Sequence, residues 1–414
     1  MANTDLVTNP TSISRPGLFI CLLGLLAIFF SIILRNEPVL MQSDILRLFH
    51  IPASTLSDLA IRYQYSLIAT LLFAGLIVDL FGPRTILTLA LVAAIAGNSV
   101  FGKAAGIPAM IDGRILIGYA HPFILISVLK LGTQWLPKRH FAFFCGLLFA
   151  ILLMTPVITK NVLTAMVNDI GMRAAANLIN CLGVLLIGNV LATYYLQSPF
   201  ITSTQFNLKQ ALPLITNGKI WLICMISLLG WIGNTFLLNY GATYLIGVHH
   251  FTRDIASDTV SMAFACFALG AITMGMFADL LGKKQLLITL GYLLAASALA
   301  TVLYMPGLTY TTLALFFFAT SFFTGTAVIS YAKAYDFCSD TTAGSVFALI
   351  AFITTLGNVL FTLILGNLLQ PTLPYLATTG AKTWQQLLGI IPAALAIGGI
   401  SAIMLHKKTP KLPA

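Results

Sequence analysis

The chain has 414 residues, of which 58% are hydrophobic and only 8% charged, and its mean hydropathy is +0.95. A soluble protein of this length needs far more charge to cover its surface, so the composition excludes a water-soluble globule and points to lipid as the solvent. The formal charge of +10 is no sign of nucleic-acid binding, because the cations are spread over connecting segments rather than gathered on one face.

Residues 1–16 read as a polar tail. The first apolar run, Gly17 to Leu34, is too long for the core of a cleavable leader, and no A-x-A site follows it. It is expected to stay as a first span that continues past Arg35 and Pro38 to about Met41, with a kink where Pro38 lacks an amide donor. Thr55 and Asp58 have capping-box spacing ahead of a second span over about 57–80. Spans three to six are predicted at 85–103, 112–134, 141–163 and 174–196. A polar segment, 197–218, separates the halves as a linker. Spans seven to twelve follow at 219–246, 257–281, 285–305, 309–332, 343–369 and 384–405, before a short tail at 406–414.

Each span has the ~20 apolar residues that a helix needs to cross the hydrocarbon core; strands of a closed barrel would be half as long and would alternate. The expected fold is therefore an all-α membrane protein with twelve transmembrane helices in two six-helix bundles, 17–196 and 219–405. With both termini inside, Arg84, Lys138, Arg139, Lys283, Lys284, Lys407 and Lys408 fall on the cytoplasmic side, and the outer loops carry fewer cations. The six cysteines sit in or beside apolar runs without a C-x-x-C pair, as small packing residues do. No metal-ligand cluster, nucleophile elbow or phosphate-binding glycine loop is present in the sequence, so neither a cofactor nor covalent chemistry is expected.

One pattern occurs twice. Gly75-x-x-x-Asp79-x-x-Gly82-x-Arg84 joins spans two and three, and Gly275-x-x-x-Asp279-x-x-Gly282-Lys283-Lys284 joins spans eight and nine, 200 residues later at every matched position. A glycine near a helix end permits close approach of another helix, and an aspartate at the membrane edge can pair with a cation or a helix N-terminus. The final glycine permits a tight turn before the basic residue. A repeat at half the chain length indicates two similar halves.

The repeated motif resembles the loop that joins the second and third helices in each half of major facilitator superfamily transporters, and Arg114-x-x-x-Gly118 resembles the R-x-x-x-G signature of their fourth helix. Arg35-x-x-Pro38, Asp79-x-x-Gly82-Pro83-Arg84 and Lys130-Leu131-x-x-x-Trp135-Leu136-Pro137 are most similar to the anion:cation symporter neighbourhood, near the bacterial phagosomal nutrient transporters. The resemblance implies alternating access in a bacterial inner membrane, with a substrate site near the midplane. It also implies that Gly75, Asp79, Gly82, Arg84, Arg114, Asp279, Gly282, Lys283 and Lys284 serve in gating. The organophosphate transporters of that neighbourhood carry a second arginine in a segment resembling L-L-R-Y-G. Here that segment reads Leu237-Leu238-Asn239-Tyr240-Gly241. One arginine with an amide suits a single carboxylate or a polar neutral group rather than a phosphate dianion.

Arg35 is the leading candidate for substrate binding, because a cation within a span is costly unless it faces water or a partner; snorkelling to headgroups is its alternative. His121 shares a helix face with Arg114 and can act as a titrating group or as a hydrogen-bonded packing residue. Arg114 itself can equally be tied to backbone carbonyls. Trp231, Asn234, Thr235 and Leu238 form one stripe of span seven, with Asn234 facing a polar cavity or a neighbouring helix. Glu37 is the only glutamate in the chain and the candidate for proton coupling, unless it belongs to an outer loop. It stands two residues from Arg35, so the two point to different faces. Span five lacks the proline-glycine antiporter signature, which disfavours drug efflux. The expected function is proton-coupled import of a small metabolite, an amino acid or similar carboxylate, by a monomer; export of a metabolite or siderophore, or sensing without transport, are the alternatives.

Overall fold

In lipid every backbone amide must be satisfied within its own segment, so long apolar runs become helices. The computed structural model describes residues 14–40, 45–46, 49, 54–196, 216–370 and 381–406, and within them twelve helices are long and apolar enough to cross a membrane. They are α1 (Arg15–Leu40), α2 (Ser54–Phe81), α3 (Pro83–Gly102), α4 (Ile107–Trp135), α5 (Phe141–Ile170) and α6 (Met172–Ala192), then α7 (Gly218–His249), α8 (Arg253–Leu281), α9 (Lys284–Tyr304), α10 (Tyr310–Tyr335), α11 (Ala343–Leu369) and α12 (Lys382–Ile403). Most of both polar tails and of the 197–218 linker, and the side chain of Thr55, lie outside the described residues.

One departure from the expected spans has a local cause. Span ten is not one continuous α-helix; a 3-10 turn occupies Gly325–Val328. Gly325 lies against the α8 backbone, where a Cβ would stand 2.5 Å from the Ala271 nitrogen, and the tighter turn accompanies this close approach. Pro38 lies inside α1, which continues past it as expected.

Within the first six helices α4 packs against α1, α2 and α3, and within the last six α9 packs against α10 and α12. The two sets meet through α2 against α11 and α5 against α8. Since α8 repeats α2 and α11 repeats α5, the same pair of elements is used twice, in opposite order.

The two motif turns differ in backbone. Gly82 has φ 84 and ψ 147, a region open essentially to glycine alone. Gly282 has φ 65 and ψ 7, the left-handed helical region that asparagine tolerates. Gly82→Asn is therefore expected to cost about 1–3 kcal/mol, and Gly282→Asn less. Thermal unfolding of the two purified variants checks the order, and equal losses would contradict it.

Candidate functional site

A cavity of about 530 Å³ lies between the two sets of helices. Its lining comes from α1, α2, α4 and α5 on one side and α7, α10 and α11 on the other. Arg35, His121, Trp231, Asn234 and Asn239, five residues scattered over 204 positions of sequence, all line it. The lining includes Ala60, Ile61 and Gln64, near the start of α2, and Asn358, Val359, Thr362 and Leu363, well along α11; both stretches lie far from the repeated motifs. Toward the motifs it ends on an aromatic layer, Phe149 with Trp231 at 5.6 Å and with Tyr331 at 5.1 Å between centroids. Beneath that layer Phe141 meets Phe347 at 5.6 Å and Tyr335 at 5.1 Å. The cavity is thus blocked at the motif end.

The walls differ in chemistry. The α1–α5 wall is apolar except for Gln64, His121 and Arg35, whose guanidinium stands 5.9 Å from the centroid of the Tyr63 ring. His121 is buried and its Nδ1 lies 2.6 Å from Ser31 Oγ, so the ring is held in place. The α7–α11 wall is uncharged and sets amides and hydroxyls among Leu238, Ala351, Val359 and Leu363. Thr235 Oγ1 donates to Asn358 Oδ1 at 3.0 Å, and Asn239 Nδ2 to Thr362 Oγ1 at 3.4 Å. Asn234 is fully buried and neither of its amide atoms has a partner; the indole N–H of Trp231 is also unpartnered. Such groups normally find a partner in a bound molecule or water.

At the motif end each aspartate caps a helix of the opposite set. Asp79 accepts from the backbone N–H of Gly344 at 3.0 Å, from that of Ser345 at 2.7 Å and from Ser345 Oγ at 2.6 Å. Asp279 accepts from the backbone N–H of Ala142 at 3.2 Å and of Phe143 at 2.7 Å. A carboxylate at a helix N-terminus meets unsatisfied amides and the positive end of the helix dipole. The motif glycines let the helices come close enough: a Cβ on Gly275 would stand 2.5 Å from the Ala142 carbonyl oxygen, and one on Gly75 would collide with the Gly344 carbonyl. The two copies are not equal, because Lys130 of α4 forms a buried ion pair with Asp79. Sequence reasoning placed Lys130 within span four without a role. Its one available signal was that a cation at that depth needs a partner.

The basic ends of the motifs also differ. Arg84 lies over the Trp135 ring at 5.1 Å, whereas Lys284 donates to Asp336 at 2.8 Å and to the Ala332 carbonyl at 3.0 Å. Asp336 is expected from sequence to pair with Lys333, but that contact is the longer one, 3.9 Å. Lys283 is exposed at the start of α9.

Glu37 lies within α1 and is fully buried, which corrects the outer-loop alternative. It does not line the cavity. Arg114, whose charge acts on Glu37, is also buried; it donates to the carbonyls of Leu34 at 2.6 Å and Arg35 at 2.8 Å and lies 4.7 Å from the Tyr63 centroid. Arg114 thereby fixes the end of α1 that presents Arg35. Asn98 stands on the other side of Glu37. Its amide nitrogen donates to Glu37 Oε1 and Oε2 at 3.2 and 2.6 Å, and its amide oxygen lies 2.9 Å from the side-chain amide of Asn180. Among the described residues no group of three or more His, Cys, Asp or Glu could hold a metal ion.

Comparison with known proteins adds to this geometry. The family model described as Major Facilitator Superfamily matches residues 17–362. No curated protein sequence matches the chain. Among solved structures, the transporter FucP in its outward conformation superposes with a TM-score of 0.75 at 13% identity, over 95% of this chain and 99% of that one. The proton:xylose symporter XylE gives 0.69 at 12% identity, over 95% of each chain. The human organic anion transporter MFSD10 gives 0.70 at 12% identity, over 94% of this chain and 99% of that one. At such identities the likeness is one of fold. With the family model covering most of its length, this chain belongs to the major facilitator superfamily, a family of multi-pass membrane transporters rather than enzymes.

Proposed function

We propose that the chain is a secondary active transporter that imports a small carboxylate-bearing nutrient, an amino acid or a similar metabolite, together with protons. It works by alternating access in the bacterial inner membrane, with both termini cytoplasmic. The observation that carries the reading is the cavity itself. It brings together one intramembrane arginine from the first half and two unpartnered polar side chains, Trp231 and Asn234, from the second, and among the described residues it is blocked at the motif end. With the motif end cytoplasmic, the arrangement corresponds to an outward-facing state. The motifs at Arg35–Pro38 and Lys130–Pro137, similar to those of bacterial phagosomal nutrient transporters, favour import of a nutrient.

Glu37 is the coupling residue in this proposal. As a carboxylate it accepts from the Asn98 amide nitrogen, and protonation weakens that contact by removing charge from the acceptor. Arg114 holds the carbonyls of Leu34 and Arg35 and its charge acts on Glu37, so a change of charge at Glu37 acts on the segment that carries Arg35. XylE, similar in fold, is a proton symporter.

Proteoliposomes with an imposed inward proton gradient test the reading. Gradient-dependent accumulation of a labelled carboxylate is expected. Glu37→Gln should retain exchange of substrate across the membrane but no longer concentrate it. Concentration by the variant at the wild-type level would remove Glu37 from coupling. Absence of gradient-driven uptake of every candidate carboxylate, with build-up of a metabolite in cells lacking the protein, would favour export instead.

A further inference from the structure

The chemistry of the two walls narrows the substrate. We propose that the cavity selects amphipathic monocarboxylates that carry no ammonium group; their body is apolar on one side and can offer neutral hydroxyl or carbonyl groups on the other. This inference rests on the transport reading above and replaces its amino-acid version.

Arg35 is the one permanent cation among the described residues that line the cavity, and it projects from the α1 side with much of its surface exposed. Its guanidinium donates to no described side chain, so its donors remain for a ligand. A carboxylate is the group whose two oxygens match that fork. No aspartate or glutamate is among the described lining residues. Glu37, two residues from Arg35, is turned toward Asn98 and Arg114 instead. The ammonium of an amino acid would therefore find no counter-charge among the described lining residues, and Arg35 would repel it. An unpaired ion in such surroundings is strongly disfavoured.

The rest of the molecule would meet two unlike surfaces. Leu67, Leu71, Leu125, Leu152 and Leu153 form the apolar side. Opposite them α7 and α11 present amides and hydroxyls that carry no charge, with Asn234 and the Trp231 indole N–H lacking partners near the floor. A sugar would leave the leucine wall facing its hydroxyls. A dianion would bring a second negative charge for which the lining holds no permanent cation. A monoanion with one apolar edge satisfies both surfaces, and the volume suits an organic acid of ordinary metabolite size.

Matched probes test this on the full chain in lipid nanodiscs. Each acid is compared with the zwitterion and the neutral amide of the same body. One set is 3-(4-hydroxyphenyl)propanoate, tyrosine and 3-(4-hydroxyphenyl)propanamide; the other is 4-methylpentanoate, leucine and 4-methylpentanamide. Binding is read by thermal stabilisation and by Trp fluorescence, with Trp231→Phe as the control. In at least one set the acid should bind roughly tenfold or more tighter than both relatives, the difference that one charge-assisted contact supplies. Arg35→Gln should bring acid and amide to equal affinity, the acid losing the larger share. Tyrosine or leucine binding as tightly as its acid would overturn the proposal, as would amides equal to acids in both sets, or no binding by any of the six. Flux in proteoliposomes separates the two levels of inference. Uptake of leucine in preference to 4-methylpentanoate sinks the substrate class and leaves transport standing. Selective acid binding without flux sinks transport and leaves the site.

Discussion

Asp79→Ala is expected to open the motif end of the molecule. The substitution removes the acceptor for three donors of the α11 N-terminus, the amides of Gly344 and Ser345 and the Ser345 hydroxyl. It also leaves the Lys130 ammonium buried and without its carboxylate. Breaking one partner out of a buried pair costs about 3–5 kcal/mol. Against a two-state equilibrium that is a shift of roughly two to four orders of magnitude toward the state open at this end. Asp279→Ala should do less, because that carboxylate holds two backbone amides and, among the described residues, no cation within ion-pair distance. The native Cys145 is a reporter: it is fully buried in α5, close to Tyr331 and behind this closure. In a background without the other cysteines its alkylation should speed up strongly in Asp79→Ala and weakly in Asp279→Ala. An unchanged rate in Asp79→Ala, with the fold intact, would show that the capped helix end does not hold the closed state. Removing Lys130 as well, as Asp79→Ala with Lys130→Met, should restore part of the lost thermal stability, since no charge is then stranded.

The second large effect is expected at Arg35. Uptake of a carboxylate substrate by Arg35→Ala should fall roughly 10- to 150-fold, the span corresponding to about 1.5–3 kcal/mol for a hydrogen bond to a charged group. The loss should appear in KM more than in the maximal rate, because the guanidinium holds the ground-state carboxylate. Arg35→Lys should recover only part of it, since an ammonium lacks the planar fork. The control is Lys103→Ala, which removes an exposed cation at the end of α3 that does not line the cavity and should leave uptake unchanged. Wild-type uptake by Arg35→Ala would return Arg35 to the role of a headgroup anchor.

Much of this architecture is legible in the residues because lipid imposes a simple rule. A backbone that cannot hydrogen-bond to its solvent must be helical, so twelve apolar runs become twelve spans. The duplicated motif is legible for a related reason. A glycine, an aspartate and a second glycine at fixed spacing each meet a separate requirement of a helix end packed against another helix. Span ten shows where this reasoning stops. Its 3-10 turn answers to the α8 backbone at Ala271, a neighbour that is distant in the chain.

The candidate site divides in the same way. Arg35 stands out in the sequence because a cation inside a span has to be explained. Asn234 stands out because of its stripe on α7. What their partners are depends on long-range packing. Lys130 meets Asp79, 51 positions away, and Glu37 meets Asn98 rather than its neighbour Arg35. The absence of a carboxylate among the described lining residues is likewise a property of which faces of seven helices converge.

By itself the sequence determined that the protein lives in lipid, that it is built twice over, and that one arginine lies where a charge is expensive. Those facts follow from composition and periodicity, which act locally along the chain. Only the tertiary structure decided which helix ends the aspartates cap, which end of the cavity is blocked, and which polar groups are left unpaired inside it. Helical periodicity assigns a side chain to a face of its own helix. It does not say which other face will be opposite, because that depends on packing summed over the whole assembly of helices.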